Sequence, residues 1–446
     1  MDRPRTTESM PEGPRTPPSA QTLHWISRPY DYLRHCHDLF GEAFTLDFGA
    51  RGIYCIFSNP EALRAIFTAG ADVLHVGPGN AVLEPLVGRA SLLLLEEGRH
   101  QRERRLLLPA FQPKTVTRYA NVIRAAVAGA TRDWHAGTEF DAQSVLQTIS
   151  IDVILRAVLG LPAAEHWGEL KANLVGLLND RRLTMGLLGR LHEDAPDPVI
   201  EDFRQRLQGL RGAALDLIAS RRARASDPDE DILSLLLAAT DEQGRPRADD
   251  EICDELLTLV VTGHETTATA LAWGLYWMTT HAEVARRLAA EVRGAGAEAG
   301  ATTELEYLDA ICKEILRICP IVPSVFRQVA RPFSVAGYRF HPGVVLSPSI
   351  YLTHHREDIY PDGDRFDPER FLRRTYSPYE YLPFGGGLRR CIGMHLALYE
   401  MKLVLVELFR RYELRLASAG PVVPTRRIVA MAPSGGPHVV VQRVLP

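Results

Sequence analysis

The stretch FGGGLRRCIG, from Phe384 to Gly393, decides how this chain is interpreted. It places Cys391 among four glycines and two arginines, directly before a segment whose apolar residues recur with helical spacing. Neighbouring cations, the N–H groups of a glycine-rich turn and the start of a helix each favour a thiolate over a thiol. The loop therefore predicts a cysteine that acts as a metal ligand or as a nucleophile.

Several interpretations of this cysteine compete. A zinc site would need further ligands at short spacing, and the sequence has none there. A nucleophilic cysteine would need a base, and His395 on the next turn of the predicted helix could supply one. A glycine-rich loop with an incidental cysteine is the simplest alternative, but it does not account for Phe384 or for the rest of the pattern.

Composition limits the possible functions. The 446 residues carry 51 basic and 55 acidic side chains, a formal net charge of −4, with no long block of one sign that could follow a nucleic-acid backbone. The six cysteines are scattered and form no CxxC pair, so we expect a reducing, cytoplasmic environment. The amino terminus contains no apolar stretch of the kind found in signal peptides or anchors. We therefore expect no membrane span and no nucleic-acid partner.

Periodicity predicts a mainly α fold with a smaller β portion drawn from both ends of the chain. Residues 1–22 are polar and proline-rich, and we interpret them as an extended lead-in to a single domain at 23–446. Alternation at 42–58 predicts a β-hairpin. The longest helical pattern runs over about 249–293, with a break near Thr280. Mixing of strands from both ends favours one interwoven domain over several.

With these features in place, the cysteine loop resembles FxxGxRxCxG, the haem-binding motif of the cytochrome P450 family. The matching positions are Phe384, Gly387, Arg389, Cys391 and Gly393. The resemblance implies a cytochrome P450 fold, with heme b (iron protoporphyrin IX) between the long central helix and the helix after the loop. It implies that Cys391 is the axial thiolate, that Arg389 binds a haem propionate and that Phe384 packs beside the sulfur. Thiolate ligation favours O–O cleavage and hence oxygen chemistry.

Glu314 and Arg317, in KEILRI, lie one helical turn apart. On its own, such a pair is a surface contact worth about 0.3 kcal/mol. Together with Arg370 in DPERF, it resembles the Glu-Arg-Arg cluster that braces the haem-binding core of the family. A buried network of this kind is stable only when every member is paired, so we expect each truncation to be severe.

His100 and Arg104, in GRHQRERRLL, are four residues apart and share one face of a predicted helix. They resemble the propionate-binding HxxxR of the family, although a solvated charged face explains an arginine-rich run equally well. Arg327, in VFRQVA, resembles a further propionate contact. Two buried carboxylates require cationic and hydrogen-bonding side chains of this kind.

LVVTGHETTATA, in the long helix, resembles the oxygen-activation motif (A/G)Gx(D/E)TT. Gly263 among threonines weakens a helix locally, so we expect the helix to bend or open there. The resemblance implies two catalytic residues, Thr266 as a hydrogen-bond partner of dioxygen and Glu265 as a proton relay. In the alternative interpretation, the Thr266 hydroxyl only bonds back to the carbonyl four residues earlier. Thr262 stands where the family usually has Ala or Gly and adds a methyl and a hydroxyl over the pocket.

The residues expected to line the substrate pocket are mostly apolar, although ordinary core packing explains each of them equally well. They are Leu259, Thr262, Gly263, Val322, Val325, Phe326, Ala430 and Met431. Such walls predict a lipophilic substrate, of terpenoid, fatty acid, steroid or polyketide type, held by burial at about 25 cal/mol per Å². The segment LVGLLNDRRLTMGLLGRL is a candidate access lid.

The resemblance implies a soluble, monomeric, bacterial-type monooxygenase that inserts one oxygen atom from O₂ into its substrate. The sequence contains no flavin or ferredoxin module, so electrons from NAD(P)H would pass through a reductase and a ferredoxin or flavodoxin docking near Arg390 and Arg105. A peroxide-using or rearranging haem-thiolate enzyme and a non-catalytic haem or ligand carrier are the alternatives. Intact Glu265 and Thr266 argue against both.

Overall fold

Helices make up most of the part of the chain that the computed structural model describes, namely residues 10–160, 168–180, 198–223, 231–240, 243–295, 304–418, 420 and 422–445. The helices are α1 Pro18–Ser27, α2 Pro29–Phe40, α3 Pro60–Thr68, α4 Gly77–Asn80, α5 Glu84–Val87, α6 Glu97–Leu107, α7 Pro113–Val116, α8 Ala120–Ala130, α9 Ala142–Leu159, α10 Gly168–Asn179, α11 Pro198–Arg222, α12 Ile232–Ala238, α13 Asp249–Thr280, α14 Ala282–Gly294, α15 Glu306–Ile318, α16 Ile350–His354, α17 Arg370–Arg373 and α18 Met394–Arg411.

The strands form small sheets that join distant parts of the chain. They are β1 Ala43–Asp47, β2 Ile53–Phe57, β3 Leu74–His75, β4 Glu139–Asp141, β5 Arg327–Val329, β6 Phe333–Val335, β7 Tyr338–Phe340, β8 Val345–Pro348, β9 Tyr412–Leu416, β10 Pro424–Arg427, β11 Ala430–Pro433 and β12 His438–Val444. The largest sheet has the order β1-β2-β8-β5-β3, and the chain's last strand lies between β4 and β9. The prediction of a mainly α fold with a smaller β portion from both ends is confirmed.

The β1–β2 hairpin predicted at 42–58 is present, with Ala43 opposite Phe57 and Asp47 opposite Ile53. The preceding lead-in is shorter than expected, because α1 begins at Pro18 rather than after residue 22. The extended part before it lies along β1, where Thr45 donates from its backbone N–H to the Glu12 carbonyl (3.0 Å). The boundary between lead-in and domain remains a prediction.

The long helix α13 runs unbroken from Asp249 to Thr280, and α14 follows at Ala282, so the predicted break is confirmed. Three acidic residues in its first turn complement the positive end of the helix dipole. The helix does not open at Gly263 as we expected, since helical backbone continues through this residue. Gly263 instead lies against α9, where an added Cβ would approach Ile154 Cδ1 to 2.7 Å.

Helix α9, Ala142–Leu159, is the one described helix that is long and apolar enough to cross a membrane. Of this segment, 72% is buried inside the protein. It packs along α13 and α8 at the centre of the main hydrophobic core.

Substitution Gly263→Ala is expected to lower the free energy of unfolding by about 1–2 kcal/mol. Overpacking against Ile154 costs about 1–3 kcal/mol, whereas the better helix propensity of alanine returns up to about 1 kcal/mol. Urea unfolding would measure the change, and Ile154→Val, which removes the obstructing methyl, should restore stability in the double variant. Gly209→Ala in α11, where a Cβ meets no atom within 4 Å, should instead stabilise the protein. Equal effects of the two alanines would contradict this account.

Candidate active site

The cysteine loop is shaped by the protein around it. Gly385 and Gly387 have φ values of 68° and 67°, a left-handed conformation that favours glycine. A Cβ on Gly387 would lie 2.2 Å from the Phe67 carbonyl oxygen of α3, so this residue can only be glycine. The Cys391 backbone N–H donates to the Phe384 carbonyl (3.0 Å) and closes the loop. These contacts hold the cysteine at the start of α18.

Gly393 differs from the other loop glycines. Its φ of −83° is open to any residue, and a Cβ there would meet no protein atom within 4 Å. The protein itself therefore gives no reason for a glycine here. A flat group approaching this turn closely would give one.

Cys391 is the only exposed thiol among the six free cysteines. Protein atoms nevertheless surround it, so that burial raises its pKa, against the opposing effects of the Gly393 N–H, Arg104 and Arg390. The Gly393 N–H and the neighbouring cations favour the thiolate, as the sequence suggested, and desolvation opposes them. A bound metal cation would displace the thiol proton. No hydrogen bond connects His395 to this thiol in the described chain.

The sequence suggested that the Arg389 guanidinium lies beside the sulfur, but its partners are on another segment. Its Nη2 lies 2.6 Å from Glu96 Oε2, and its Nη1 donates to the Leu92 carbonyl (3.3 Å). Arg104 of α6 is the cation that joins Arg390 near the thiol. Sequence reasoning missed Glu96, since nothing in its neighbourhood distinguishes it from an ordinary surface acid.

Four predicted haem-binding side chains converge on one buried site. Burial, together with the charges of Arg389, Arg104 and Arg327, lowers the pKa of His100 to about 4, so the imidazole is neutral near pH 7. Burial and Arg389 lower the pKa of Arg327 to about 10. Of the three arginines, Arg389 is paired with a carboxylate, that of Glu96, and the described chain offers no ion-pair partner to the other two, which leaves two positive charges. Because buried cations need anions, the donor set fits the two propionates of heme b.

Thr262, Gly263 and Thr266 mark where α13 faces an open space. Between Ile252 and Leu275, all of which are described, these are the only residues that are not buried. The Thr266 hydroxyl donates to the Thr262 carbonyl (2.7 Å), so the structure has the back-bonded arrangement of the alternative interpretation. The hydroxyl oxygen can still accept a hydrogen bond from the open side.

Glu265 points away from that face. Its Oε2 accepts from Gln147 Nε2 of α9 (2.7 Å), and its Oε1 lies 3.1 Å from Arg427 Nε of β10. Burial raises the Glu265 pKa, while Arg427 and Gln147 oppose the rise. Sequence reasoning missed Gln147 and Arg427; a glutamine on the apolar helix α9 was the one available signal.

Three predicted pocket residues, Val322, Val325 and Phe326, are half-buried after α15. The Phe326 ring packs edge-on against Tyr54, with centroids 5.4 Å apart, and a Cβ on Gly79 would lie 2.7 Å from the Phe326 Cβ. Phe326 therefore belongs to a wall built from β2 and the α4 turn.

Two other predicted pocket residues, Ala430 and Met431, lie on β11. Met431 is fully buried, and its carbonyl accepts from Trp273 Nε1 (2.7 Å); Ala430 beside it is equally enclosed. All four residues of this strand are buried, and the place of Ala430 and Met431 in the pocket stays a prediction. Leu259 is buried one turn before Thr262.

In the candidate lid, Leu174 and Leu177 are buried on α10, and residues 181–191 lie outside the described residues.

The structure brings Glu314, Arg317 and Arg370 together in a buried cluster. Arg317 donates from Nε and Nη2 to the two Glu314 oxygens (2.7 and 2.9 Å), and Arg370 Nε donates to Oε1 (3.1 Å). His354 connects the cluster to Leu382, two residues before the cysteine loop: its Nδ1 lies 3.3 Å from the Arg317 carbonyl, and its Nε2 accepts from Leu382 N–H (2.9 Å). Burial holds the His354 pKa well below its usual range, so this link stays neutral. His354 was not predicted.

Comparison with known proteins agrees with this geometry. The cytochrome P450 family model matches residues 11–438. Cytochrome P450 135B1 of Mycobacterium tuberculosis is 36% identical over 440 residues, covering 96% of this chain and 91% of that protein. Cytochrome P450 135A1 of the same species is 31% identical over 437 residues, 97% of this chain and 95% of that protein. A retinoic acid-bound cyanobacterial CYP120A1 structure superimposes with a TM-score of 0.86 at 26% identity, over 98% of this chain and 100% of that chain.

The chain therefore belongs to the cytochrome P450 family, and the resemblance seen in the cysteine loop is confirmed. It is an oxidoreductase of the monooxygenase class whose cofactor is heme b.

Proposed function

We propose that this protein inserts one oxygen atom from O₂ into a lipophilic small molecule, with Cys391 as the axial ligand of its haem. One observation carries the proposal: an accessible thiol lies beside a partly buried cationic cluster of the charge that two propionates require. His100, Arg104, Arg327 and Arg389 would bind those propionates. Thiolate-ligated haem, when bound, supplies the O–O cleavage and the oxygen transfer.

The protein's own part is to hold substrate and to manage protons. Because the Thr266 hydrogen is given to the Thr262 carbonyl, its oxygen presents lone pairs to the open side, where they accept from water or a bound molecule. Glu265 is the adjacent acid, but Gln147 keeps its carboxylate on the α9 side. A proton would pass from Glu265 to Thr266 through water or after rotation of the Glu265 side chain.

The substrate class proposed here is lipophilic, of terpenoid, fatty acid, steroid or polyketide type. Val322, Val325 and Phe326 form an apolar wall, and apolar burial is the main source of affinity in such pockets. Thr262 adds a single hydroxyl, but it already donates to the Thr258 carbonyl (2.7 Å). The walls therefore offer little to a polar substrate.

A spectroscopic and turnover assay tests this function. Reduced protein with carbon monoxide should show the strongly red-shifted Soret band of thiolate ligation. Titration with fatty acids, terpenes, steroids and macrolides should identify compounds that shift the iron spin state, and these should be oxidised when O₂ and reductant are supplied. Turnover with peroxide alone, and never with O₂ and reductant, would overturn the monooxygenase proposal.

Electrons are proposed to come from NAD(P)H through a reductase and an acidic ferredoxin or flavodoxin. Arg390 is exposed beside Cys391, and Arg105 is exposed on α6, the helix that carries His100. A partner docking there would approach the thiolate side of the cofactor. We further propose a monomer in a reducing cytoplasm, a location supported by six free cysteines.

Charge reversal by Arg390→Glu should slow reduction by such a carrier about tenfold or more at low salt, because charges at a docking surface set the association rate. Stopped-flow reduction measures this, and substrate affinity should not change. Arg443→Glu, on β12, provides a control of equal charge change. Equal reduction rates for both variants would place the docking site elsewhere.

A further inference from the structure

The Glu265 carboxylate and three other polar side chains, from four separate elements, form a closed ring of hydrogen bonds and an ion pair. Gln147 Nε2 donates to Glu265 Oε2 (2.7 Å) and to Asn179 Oδ1 (2.8 Å), and Asn179 Nδ2 donates back to Gln147 Oε1 (3.3 Å). Arg427 closes the ring, with Nη2 donating to Asn179 Oδ1 and Nε lying 3.1 Å from Glu265 Oε1. The ring thus joins α9, α10, α13 and β10.

Most of this ring is inside the protein. Gln147 is 1% exposed and Glu265 is 6% exposed, while the Arg427 side chain is 19% exposed and Asn179 lies at the surface. Burying the Glu265 carboxylate and the Gln147 amide is costly, and well-packed apolar side chains in their place would stabilise the fold as well or better. The arrangement therefore indicates a task other than stability.

The ring also sets the direction in which Glu265 faces. Thr266, the next residue, lies on the non-buried face of α13, whereas the ring holds the Glu265 carboxylate between α9 and the β10–β11 hairpin. Asn179 is the last residue of α10 and is the ring member that reaches solvent. Glu265 is thus connected to the outside on one side and adjoins Thr266 on the other.

We propose that Gln147, Asn179 and Arg427 are positioning residues that fix the Glu265 carboxylate and connect it to solvent at Asn179. The inference rests on the proposed function, in which Glu265 is the acid that serves Thr266. Under it, protons reach Glu265 from solvent water on the α10 side of the protein, and the amides and the guanidinium orient the carboxylate without carrying the proton themselves.

Arg427 is the charged group that faces the Glu265 carboxylate. Burial raises the Glu265 pKa, and the Arg427 cation followed by the Gln147 hydrogen bond lower it. His264 Nε2 is 3.9 Å from Glu265 Oε2, but burial and Arg427 lower the His264 pKa to about 4, so the His264 imidazole is neutral near pH 7. Without the Arg427 charge, only the Gln147 hydrogen bond would oppose the effect of burial, so the Glu265 pKa would rise further.

Infrared titration of the haem-loaded enzyme tests this inference, with the Glu265 carboxyl band assigned through Glu265→Gln. Arg427→Gln should move the midpoint upward by about one pH unit or more, and Arg427→Lys should restore most of it. Asn179→Ala, a truncation at an exposed position, should also raise the midpoint. Gln147 and Arg427 both donate to Asn179 Oδ1, and the variant removes this shared acceptor. Arg443→Gln, which removes an exposed arginine on β12, should leave the midpoint unchanged.

The pH profile of product formed per NAD(P)H consumed should move with the infrared midpoint. An unshifted midpoint in both Arg427→Gln and Asn179→Ala would overturn the inference and leave the ring as a structural tie. Shifted midpoints in an enzyme that never uses O₂ and reductant would uphold the positioning role while refuting the proposed function. The infrared readout thus separates the two.

Discussion

Replacement of Cys391 by alanine is expected to abolish both the red-shifted Soret band of the reduced carbon monoxide complex and oxygenase activity. No other thiol can take its place, since the remaining five cysteines are buried. Loss of the thiolate also removes the electron donation that favours O–O cleavage. A decrease in turnover of at least about 10³-fold is the expected scale, because chemistry of this kind depends on the ligand itself.

A second substitution keeps this experiment informative if alanine prevents haem binding. Cys391→His should bind haem through nitrogen and give a carbon monoxide band at the position typical of imidazole ligation. Cys253→Ala, at a buried cysteine of α13, should keep the thiolate band and activity. Persistence of the thiolate band in Cys391→Ala would refute the assignment of the ligand.

Substitution Glu314→Gln is expected to lower the free energy of unfolding by about 3–5 kcal/mol. The change leaves the Arg317 and Arg370 cations buried without a counter-charge, and breaking one partner of a buried pair has a cost of this size. The Asp367 backbone N–H, which donates to Glu314 Oε1 (2.9 Å), would also lose a charged acceptor. Haem content should fall, because His354 connects this cluster to Leu382, two residues before the cysteine loop.

The chain contains a matched control for this prediction. Glu283 and Arg286 in α14 have the same i,i+3 spacing and form an ion pair, but their side chains are 83% and 70% exposed. Glu283→Gln should therefore change stability by no more than about 0.5 kcal/mol. Denaturant unfolding of both variants measures the difference. Similar losses in the two would show that burial of Glu314 does not govern its contribution.

Features that depend on short-range chemistry were readable from the sequence. The cysteine loop was recognised because glycines at φ values near 68° and a cysteine before a helix are local properties of a few residues. The length of α13 and its end at Thr280 followed from periodicity. The tertiary structure added contacts that the sequence did not show: Arg389 pairs with Glu96, and Met431 is fully buried.

Residues that act only through distant partners could not be found in this way. The Glu265 ring joins Gln147 and Glu265, which are 118 positions apart, and the sequence near either residue does not indicate the other as its partner. The same holds for His354, which lies 37 positions from the Arg317 carbonyl and 28 from the Leu382 N–H.

By itself, therefore, the sequence determined the family, the predicted ligand of the cofactor and the mainly α fold class, since backbone preference and local spacing are encoded in consecutive residues. Only the tertiary structure decided that Glu314–Arg317 is a buried brace while Glu283–Arg286, with identical spacing, is a solvated pair. The physical reason is that the strength of a charge interaction depends on how much water the rest of the chain excludes, and that exclusion exists only after folding.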